Sequence, residues 1–164
     1  MTEVVITGFA EAPQMPFGTE LDRVGHLLGG YRVLKRNLGT AFDAHEMLLG
    51  GLPGDALNQL ERRLQVLDAV ALEKAVGMSL RTLQRRRADP GQPLSVDQSG
   101  RVWKFAEILA KATEVMGTQR DAEEWLDEPA MGLNGQKPLD LLATAAGTEL
   151  VETFLGQIEY GVYV

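Results

Sequence analysis

The chain has 164 residues, a formal net charge of −7 at pH 7 and no cysteine. The absence of cysteine excludes disulfides and thiolate metal sites, and it fits a reducing, cytoplasmic setting. No apolar run approaches the roughly 18 residues needed to cross a bilayer, and the N-terminus has no secretory signal pattern, so we expect a cytoplasmic protein without a membrane partner. With 45% hydrophobic residues, the chain can bury a substantial core.

The charge is unevenly distributed along the chain. Residues 79–111 contain seven basic and three acidic residues, whereas residues 118–164 contain two basic and nine acidic residues. A basic central segment is suited to phosphate, and an acidic C-terminal segment would be repelled by it. The two segments therefore predict two different partners.

Glycine and proline divide the chain into segments with helical periodicity, so we predict an all-α fold. It would comprise an N-terminal helical region, a helix-turn-helix core and a small helical C-terminal domain. Residues 1–17 are expected to form an arm, with a possible short strand over Val4–Ile6. The segments that follow are a helix from Thr19 to Gly29, an ambiguous stretch over Tyr31–Leu38 and a helix from Thr40 to Gly50.

An amphipathic helix is predicted to begin at Pro53. Its leucines recur at helical spacing, at Leu57, Leu60, Leu64 and Leu67. We expect this helix to continue to Leu67 and to lead into a second helix over Ala69–Val76.

The residues after Val76 are the most informative in the chain. Gly77 can take the positive φ that ends a helix, and the Ser79 hydroxyl can cap the next one. Leu80 and Leu83 are expected to point back into the core under the turn. Two helices that meet in this way are typical of a helix-turn-helix.

The second helix of such a motif lies in the major groove of DNA. Arginine binds both phosphate oxygens and the guanine edge, and this helix carries four arginines. The predicted DNA-binding residues are Ser79, Arg81, Thr82, Gln84, Arg85, Arg86 and Arg87. We expect Arg86 and Arg87 at phosphates, and Arg101 and Lys104 within reach of the DNA backbone. The alternative is a solvated, arginine-rich helix end.

Two further helices are predicted after a turn at 89–93. A long helix spans 95–116, and Thr118 caps the next one, which carries Trp125 and Leu126. A Trp-Leu pair inside an amphipathic helix usually packs against its own domain, so we interpret both residues mainly as core.

The last helix is predicted to open at Gly147–Thr148. Its expected buried side consists of Leu150, Val151, Phe154, Leu155 and Ile158. The chain then ends in Glu159–Val164, which is unusually apolar and aromatic for a terminus. This tail can fold back on its own domain or enter a partner's pocket, where aromatic anchors carry much of the binding energy.

The C-terminal half of the chain resembles the Xre/MbcA/ParS type of antitoxin, from the helix-turn-helix to a C-terminal toxin-binding domain. The resemblance is carried by Arg81–Arg86, Ala122–Leu126, Pro129, Leu133–Leu142, Thr144, Gly147, Val151 and Ile158–Gly161. Residues 1–55 lie outside it.

The resemblance implies a type II antitoxin that neutralises a RES-domain toxin, an enzyme that degrades NAD+, and represses the operon that both proteins share. In the family, the C-terminal residues approach or plug the NAD+ site of the toxin. The toxin-binding residues expected on this basis are Ile158, Glu159, Tyr160, Gly161, Val162, Tyr163 and Val164. Glu152, together with Glu159, is expected to complement a basic toxin pocket and to speed association.

We therefore predict an arm with accessory helices over 1–52, a DNA-binding domain over 53–117 and a toxin-binding domain over 118–164. The expected partners are a RES-domain toxin, operator DNA and further copies of the chain, in a homodimer or higher oligomer. No cofactor, metal site or enzymatic activity is predicted, because His26 and His45 lie on separate helices without cysteine. The alternative is a dimeric helix-turn-helix regulator without a toxin partner.

Overall fold

A computed structural model of the chain describes residues 19–161. The predicted arm over 1–17, with Val4–Ile6, lies outside the described residues, as does the end of the tail over Val162–Val164. The described part is helical, with two isolated β-bridges and no longer strand. The predicted all-α class is thus confirmed.

Ten α-helices and one 3-10 helix follow one another over residues 19–161. They are α1 Glu20–Leu27, α2 Tyr31–Leu34, α3 Ala41–Leu49, α4 Gly54–Arg63, α5 Ala69–Val76, α6 Leu80–Ala88, α7 Val96–Met116, α8 Gln119–Leu126, the 3-10 helix Met131–Leu133, α9 Pro138–Leu141 and α10 Ala145–Glu159. The ambiguous stretch after α1 thus contains the short helix α2. No helix within this range is long and apolar enough to cross a bilayer.

The helix starts follow the capping residues that the sequence offers. Thr19, Thr40 and Ser95 each form a capping box, in which the hydroxyl accepts the N–H of the third helical residue and that residue's side chain accepts the N–H of the cap. Gly117 ends α7 with a φ of 100°. The predicted boundaries of α1, α3 and α7 are confirmed at these positions, because short polar side chains satisfy the unpaired N–H groups of a helix start.

The long helix α7 is the centre of the molecule. It packs against α1, α3, α5, α8 and α10, so it contacts both the helix-turn-helix and the C-terminal helices. Its fully or almost fully buried residues are Val102, Phe105, Ala106, Ile108, Leu109 and Ala112. One continuous hydrophobic core therefore joins the two halves of the chain.

The loop after α6 is held against the start of α4. Pro53, the residue that precedes α4, has no side-chain hydrogen bond to the helix. The N–H of Gly54 instead donates to Gln92 O and that of Asp55 to Pro90 O, both at 3.0 Å. A Cβ on Gly54 would lie only 2.8 Å from Gln92 O, so glycine permits this approach. These contacts fix the end of α6 relative to the body of the protein.

Two predictions about the helix-turn-helix region are wrong. Helix α4 ends at Arg63 instead of Leu67, and the segment after it has extended backbone at Leu64. Leu83 is buried as expected, but Leu80 is 36% exposed. Leu80 is the first residue of α6 and lies about 60° around the helix from Leu83, at the edge of the buried face.

The last helix also departs from its prediction. It begins at Ala145, because the Thr144 hydroxyl accepts the N–H of Gly147 and caps the helix ahead of the predicted start. Val151 and Leu155 are fully buried, whereas Leu150 is 56% exposed. The buried stripe is therefore narrower than predicted.

Candidate functional site

The helix-turn-helix is built from α5 and α6. Gly77 ends α5 with a φ of 67°, and the Ser79 hydroxyl accepts the N–H of Thr82 at 3.2 Å. Arg101 of α7 donates from Nη1 to Gly77 O at 3.0 Å. The turn is thus capped on both sides and held by the long helix. Arg101 therefore stabilises the turn, and its contact with the DNA backbone stays a prediction.

One face of α6 is open. Arg81, Gln84 and Arg85 lie at i, i+3 and i+4, roughly opposite the buried Leu83. All three side chains are exposed and make no hydrogen bond or ion pair within the described part of the chain. They form a continuous set of polar donors that is free to contact another molecule.

The remaining predicted DNA-binding residues have partners within the protein. Arg86 donates to Gln98 Oε1 at 3.1 Å and to Pro93 O at 3.4 Å. Arg87 donates from Nε to Glu61 Oε2 at 3.0 Å, and a second bond joins the same two side chains. Their predicted phosphate contacts stay a prediction. The structure shows that both arginines also tie α6 to its neighbours.

A buried carboxylate connects the C-terminal half to the helix-turn-helix. Glu123 of α8 is 0% exposed. Its carboxylate accepts the backbone N–H groups of Gln65, Val66 and Leu67, at distances of 2.8–2.9 Å. No cation is within ion-pair distance of this group among the described residues; three peptide N–H groups solvate it instead.

Gln119 completes this contact from one turn earlier in α8. Its Nε2 donates to Arg63 O at 2.6 Å and to Glu123 Oε2 at 2.8 Å. Helix α8 thus satisfies the last carbonyl of α4 and the N–H groups of Gln65, Val66 and Leu67. The N–H groups of residues 65–67 point at Glu123 instead of continuing the helix, which explains why α4 ends at Arg63.

Two ion pairs join α10 to α7. Lys104 Nζ lies 3.0 Å from Glu152 Oε1, and Lys111 Nζ lies 2.5 Å from Glu159 Oε2. The partners are seven residues apart in each helix, so the helices run side by side in the same direction. The acidic pair predicted for a toxin thus has lysine partners in the chain, and its contact with a toxin stays a prediction.

The lysine pKa values reflect the same pairs. The hydrogen bond to Glu159 raises the pKa of Lys111 above its ordinary value. Burial lowers the pKa of Lys104, but hydrogen bonds to Glu152 and Glu107 outweigh it, and the net shift is upward. Both lysines are therefore charged at neutral pH and hold α10 from one side.

The end of α10 is open to solvent. Ile158 is half-buried, Tyr160 is 80% exposed, and Gly161 turns the chain with a φ of 72°. The predicted toxin-binding residues Val162, Tyr163 and Val164 lie outside the described residues. Among the residues that are described, the exposed Tyr160 ring is the principal apolar group at this end.

Two aromatic side chains of the C-terminal domain, Trp125 and Phe154, lie together. Leu126 is fully buried, which confirms it as core. Trp125 is half-buried, and its ring centroid lies 6.0 Å from that of Phe154. The 3-10 helix packs so closely over Phe154 that a Cβ on Gly132 would overlap the ring. Residues 19–161 contain no group of three His, Cys, Asp or Glu side chains placed to hold a metal.

Comparison with known proteins assigns both halves of the chain. Residues 43–107 match the antitoxin Xre-like helix-turn-helix domain. Residues 111–161 match the antitoxin Xre/MbcA/ParS C-terminal toxin-binding domain. The first match contains α5 and α6, and the second contains Glu123, both ion-paired glutamates of α10 and Tyr160.

Three relatives are similar over most of the chain. Antitoxin Xre of Pseudomonas putida is 36% identical over 124 residues, which are 76% of this chain and 76% of the relative. Antitoxin Xre of Yersinia enterocolitica is 31% identical over 137 residues, 80% of this chain and 91% of the relative. The Prs ADP-ribosylating antitoxin of a Sphingobium species is 30% identical over 121 residues, 67% of this chain and 76% of the relative.

These matches confirm the predicted family. The matched domains are binding domains of antitoxins, which agrees with the prediction that the chain is not an enzyme. A toxin-binding domain and a helix-turn-helix imply two partners, a toxin and DNA. The chain belongs to the Xre/MbcA/ParS family of antitoxins.

Proposed function

We propose that the chain neutralises a RES-domain toxin that degrades NAD+. In this account residues Ile158–Val164 cover the active site of the toxin, and the helix-turn-helix represses the operon that encodes both proteins. Residues 118–164 bind the toxin, residues 53–117 bind the operator, and residues 1–52 have an accessory or oligomerising role.

The position of Tyr160 is the observation that carries the toxin-binding half of the proposal. Helix α10 is anchored by the fully buried Val151 and Leu155. Two ion pairs to α7, at Glu152 and Glu159, hold its C-terminal half. Exposed ion pairs contribute about 1 kcal/mol or less each, so the buried side chains supply most of the stability of this packing. The two lysines determine how α10 is oriented along α7. The helix that precedes the tail is therefore fixed in place, and it presents the exposed Tyr160 ring to a partner at a defined point.

The charge of the tail-bearing domain fits a pocket for NAD+. Positive charge favours the binding of the NAD+ pyrophosphate, and residues 118–164 contain nine acidic residues against two basic ones. The Sphingobium relative has ADP-ribosylation in its name, a reaction that also consumes NAD+. Both considerations favour a toxin whose active site holds this nucleotide.

For the operator, we propose recognition by the open face of α6 in a homodimer or higher oligomer. Arg81, Gln84 and Arg85 are the unpartnered donors of the helix that enters the major groove in this type of motif. Two symmetry-related copies of α6 would read a palindrome with half-sites about one helical turn apart.

Co-expression with the protein encoded by the adjacent reading frame tests this function. We expect that the adjacent RES-domain protein alone stops growth and depletes cellular NAD+, and that the full-length chain restores both and co-purifies with it. A chain that leaves NAD+ depleted and elutes separately would contradict the proposal. It would favour the alternative, a dimeric helix-turn-helix regulator without a toxin partner.

A further inference from the structure

An exposed apolar surface lies on the C-terminal domain. It consists of Trp125, Met131, Leu150 and Phe154, and we refer to it as the Met131 surface. Met131 is 91% exposed and Leu150 is 56% exposed, so both side chains are largely in water. Neither side chain is part of the hydrophobic core of the described residues, so core packing does not explain why these positions are apolar.

The four residues form one continuous surface. The rings of Trp125 and Phe154 are 6.0 Å apart, and the backbone of Gly132, next to Met131, lies directly on the Phe154 ring. Leu150 is one turn before Phe154 on the same face of α10. Gly132 has a specific part in this arrangement, because any side chain there would push the 3-10 helix away from the ring.

The Met131 surface lies within the domain that matches the toxin-binding family. Leu150 and Phe154 stand at i and i+4 on one face of α10, and all four residues of the surface lie within residues 111–161, which match the toxin-binding domain. We therefore expect a toxin bound by this domain to contact Leu150 and Phe154. Methionine is suited to such a contact, since its flexible side chain adapts to irregular apolar surfaces.

Two acidic residues are close to the Met131 surface in the sequence. Glu128 lies between Trp125 and Met131 in the chain, and Glu149 precedes Leu150. Both are exposed, and neither forms an ion pair within residues 19–161. Unpaired carboxylates around an apolar centre match a partner with an apolar recess bordered by basic side chains.

We propose that the Met131 surface is a docking surface for the toxin, separate from the tail. It binds an apolar recess beside the NAD+ site and supplies affinity, whereas the tail supplies inhibition. This inference rests on the proposed function, and it adds the prediction that binding and inhibition can be separated by mutation.

The test is the affinity of purified chain for the purified RES-domain protein of the adjacent reading frame. The variant Met131→Ser with Leu150→Ser removes the two exposed apolar groups without touching the buried core. We expect its Kd to rise roughly 30-fold, a typical loss for two central apolar contacts. The matched control is Phe42→Ser with Leu49→Ser on α3, where the side chains are 80% and 57% exposed. Its Kd should change less than about threefold.

The possible outcomes separate the two proposals. If the unmodified chain does not bind the RES-domain protein, the proposed function itself fails. If the unmodified chain binds and the Met131 variant binds within about threefold of it, the docking surface is refuted and the proposed function stands. An equal loss in the α3 control would also refute the docking surface, because the effect would not be specific to this face.

Discussion

Replacing Glu123 with alanine is expected to lower the free energy of unfolding by about 3–5 kcal/mol. The carboxylate accepts three backbone N–H groups and is fully buried, so its removal leaves these donors without a partner and opens a cavity beside them. For a chain of this size, that loss corresponds to a drop in melting temperature of roughly 10 °C or more. Thermal unfolding followed by circular dichroism measures it.

The neighbouring Glu124 provides the matched control. It is the same residue type on the same helix, but its carboxylate pairs only with Arg120 near the surface, at 3.2 Å. Glu124→Ala should therefore cost about 0.5 kcal/mol or less. Glu123→Gln retains one acceptor oxygen and should fall between the two alanine variants. If Glu123→Ala and Glu124→Ala melt at the same temperature, the carboxylate does not hold the two halves together.

The double variant Arg81→Ala with Arg85→Ala is expected to bind operator DNA about 100-fold more weakly. Each arginine that contacts a base edge or phosphate contributes about 1–3 kcal/mol, and these two are the unpartnered arginines of α6. Electrophoretic mobility shift on the DNA upstream of the chain's own reading frame, at fixed salt concentration, measures the change.

A charge-matched control separates recognition from net charge. Arg36 and Arg120 are both ion-paired within the protein, to Glu46 and Glu124, and neither is among the predicted DNA-binding residues. The variant Arg36→Ala with Arg120→Ala loses the same charge, but we expect it to weaken binding less than about tenfold. Equal losses in the two double variants would show that the open face of α6 is not the reading surface.

Local signals in the sequence account for most of the fold. The capping residues Thr19, Thr40 and Ser95 predict where helices begin, since a side-chain cap depends on residues only three positions apart. Gly77 and Gly117 predict where α5 and α7 end, because each takes a positive φ. These interactions are short in sequence, and so they are visible without the tertiary structure.

The errors come from contacts that are distant in sequence. The leucine spacing predicts a helix as far as Leu67, but Glu123 draws the N–H groups of 65–67 away from helical geometry across more than 50 residues. One signal was present: Ala122, Glu123 and Leu126 share a face of α8, which places a carboxylate on the buried side of an amphipathic helix. A charged residue in such a position requires buried hydrogen-bond partners.

Side-chain pairing limits what the sequence reveals about the site. The arginines of α6 look equivalent in the sequence, yet Arg86 and Arg87 are engaged by Gln98 and Glu61, whereas Arg85 is open. Which arginine is open depends on the position of α4 and α7 around α6, and no local pattern encodes that position.

The central claim is that the tail covers the active site of the toxin. The most direct test is to measure cellular NAD+ while the adjacent RES-domain protein is co-expressed with a chain that ends at Glu159. The truncation keeps α10 and its ion pair to Lys111, and it removes only residues after the last helix, so the melting temperature should stay within about 2 °C of the full-length value. We expect the truncated chain still to bind the toxin through the Met131 surface, while NAD+ falls and growth stops. Preserved NAD+ with the truncated chain would contradict the account, because the tail would then not be what covers the active site.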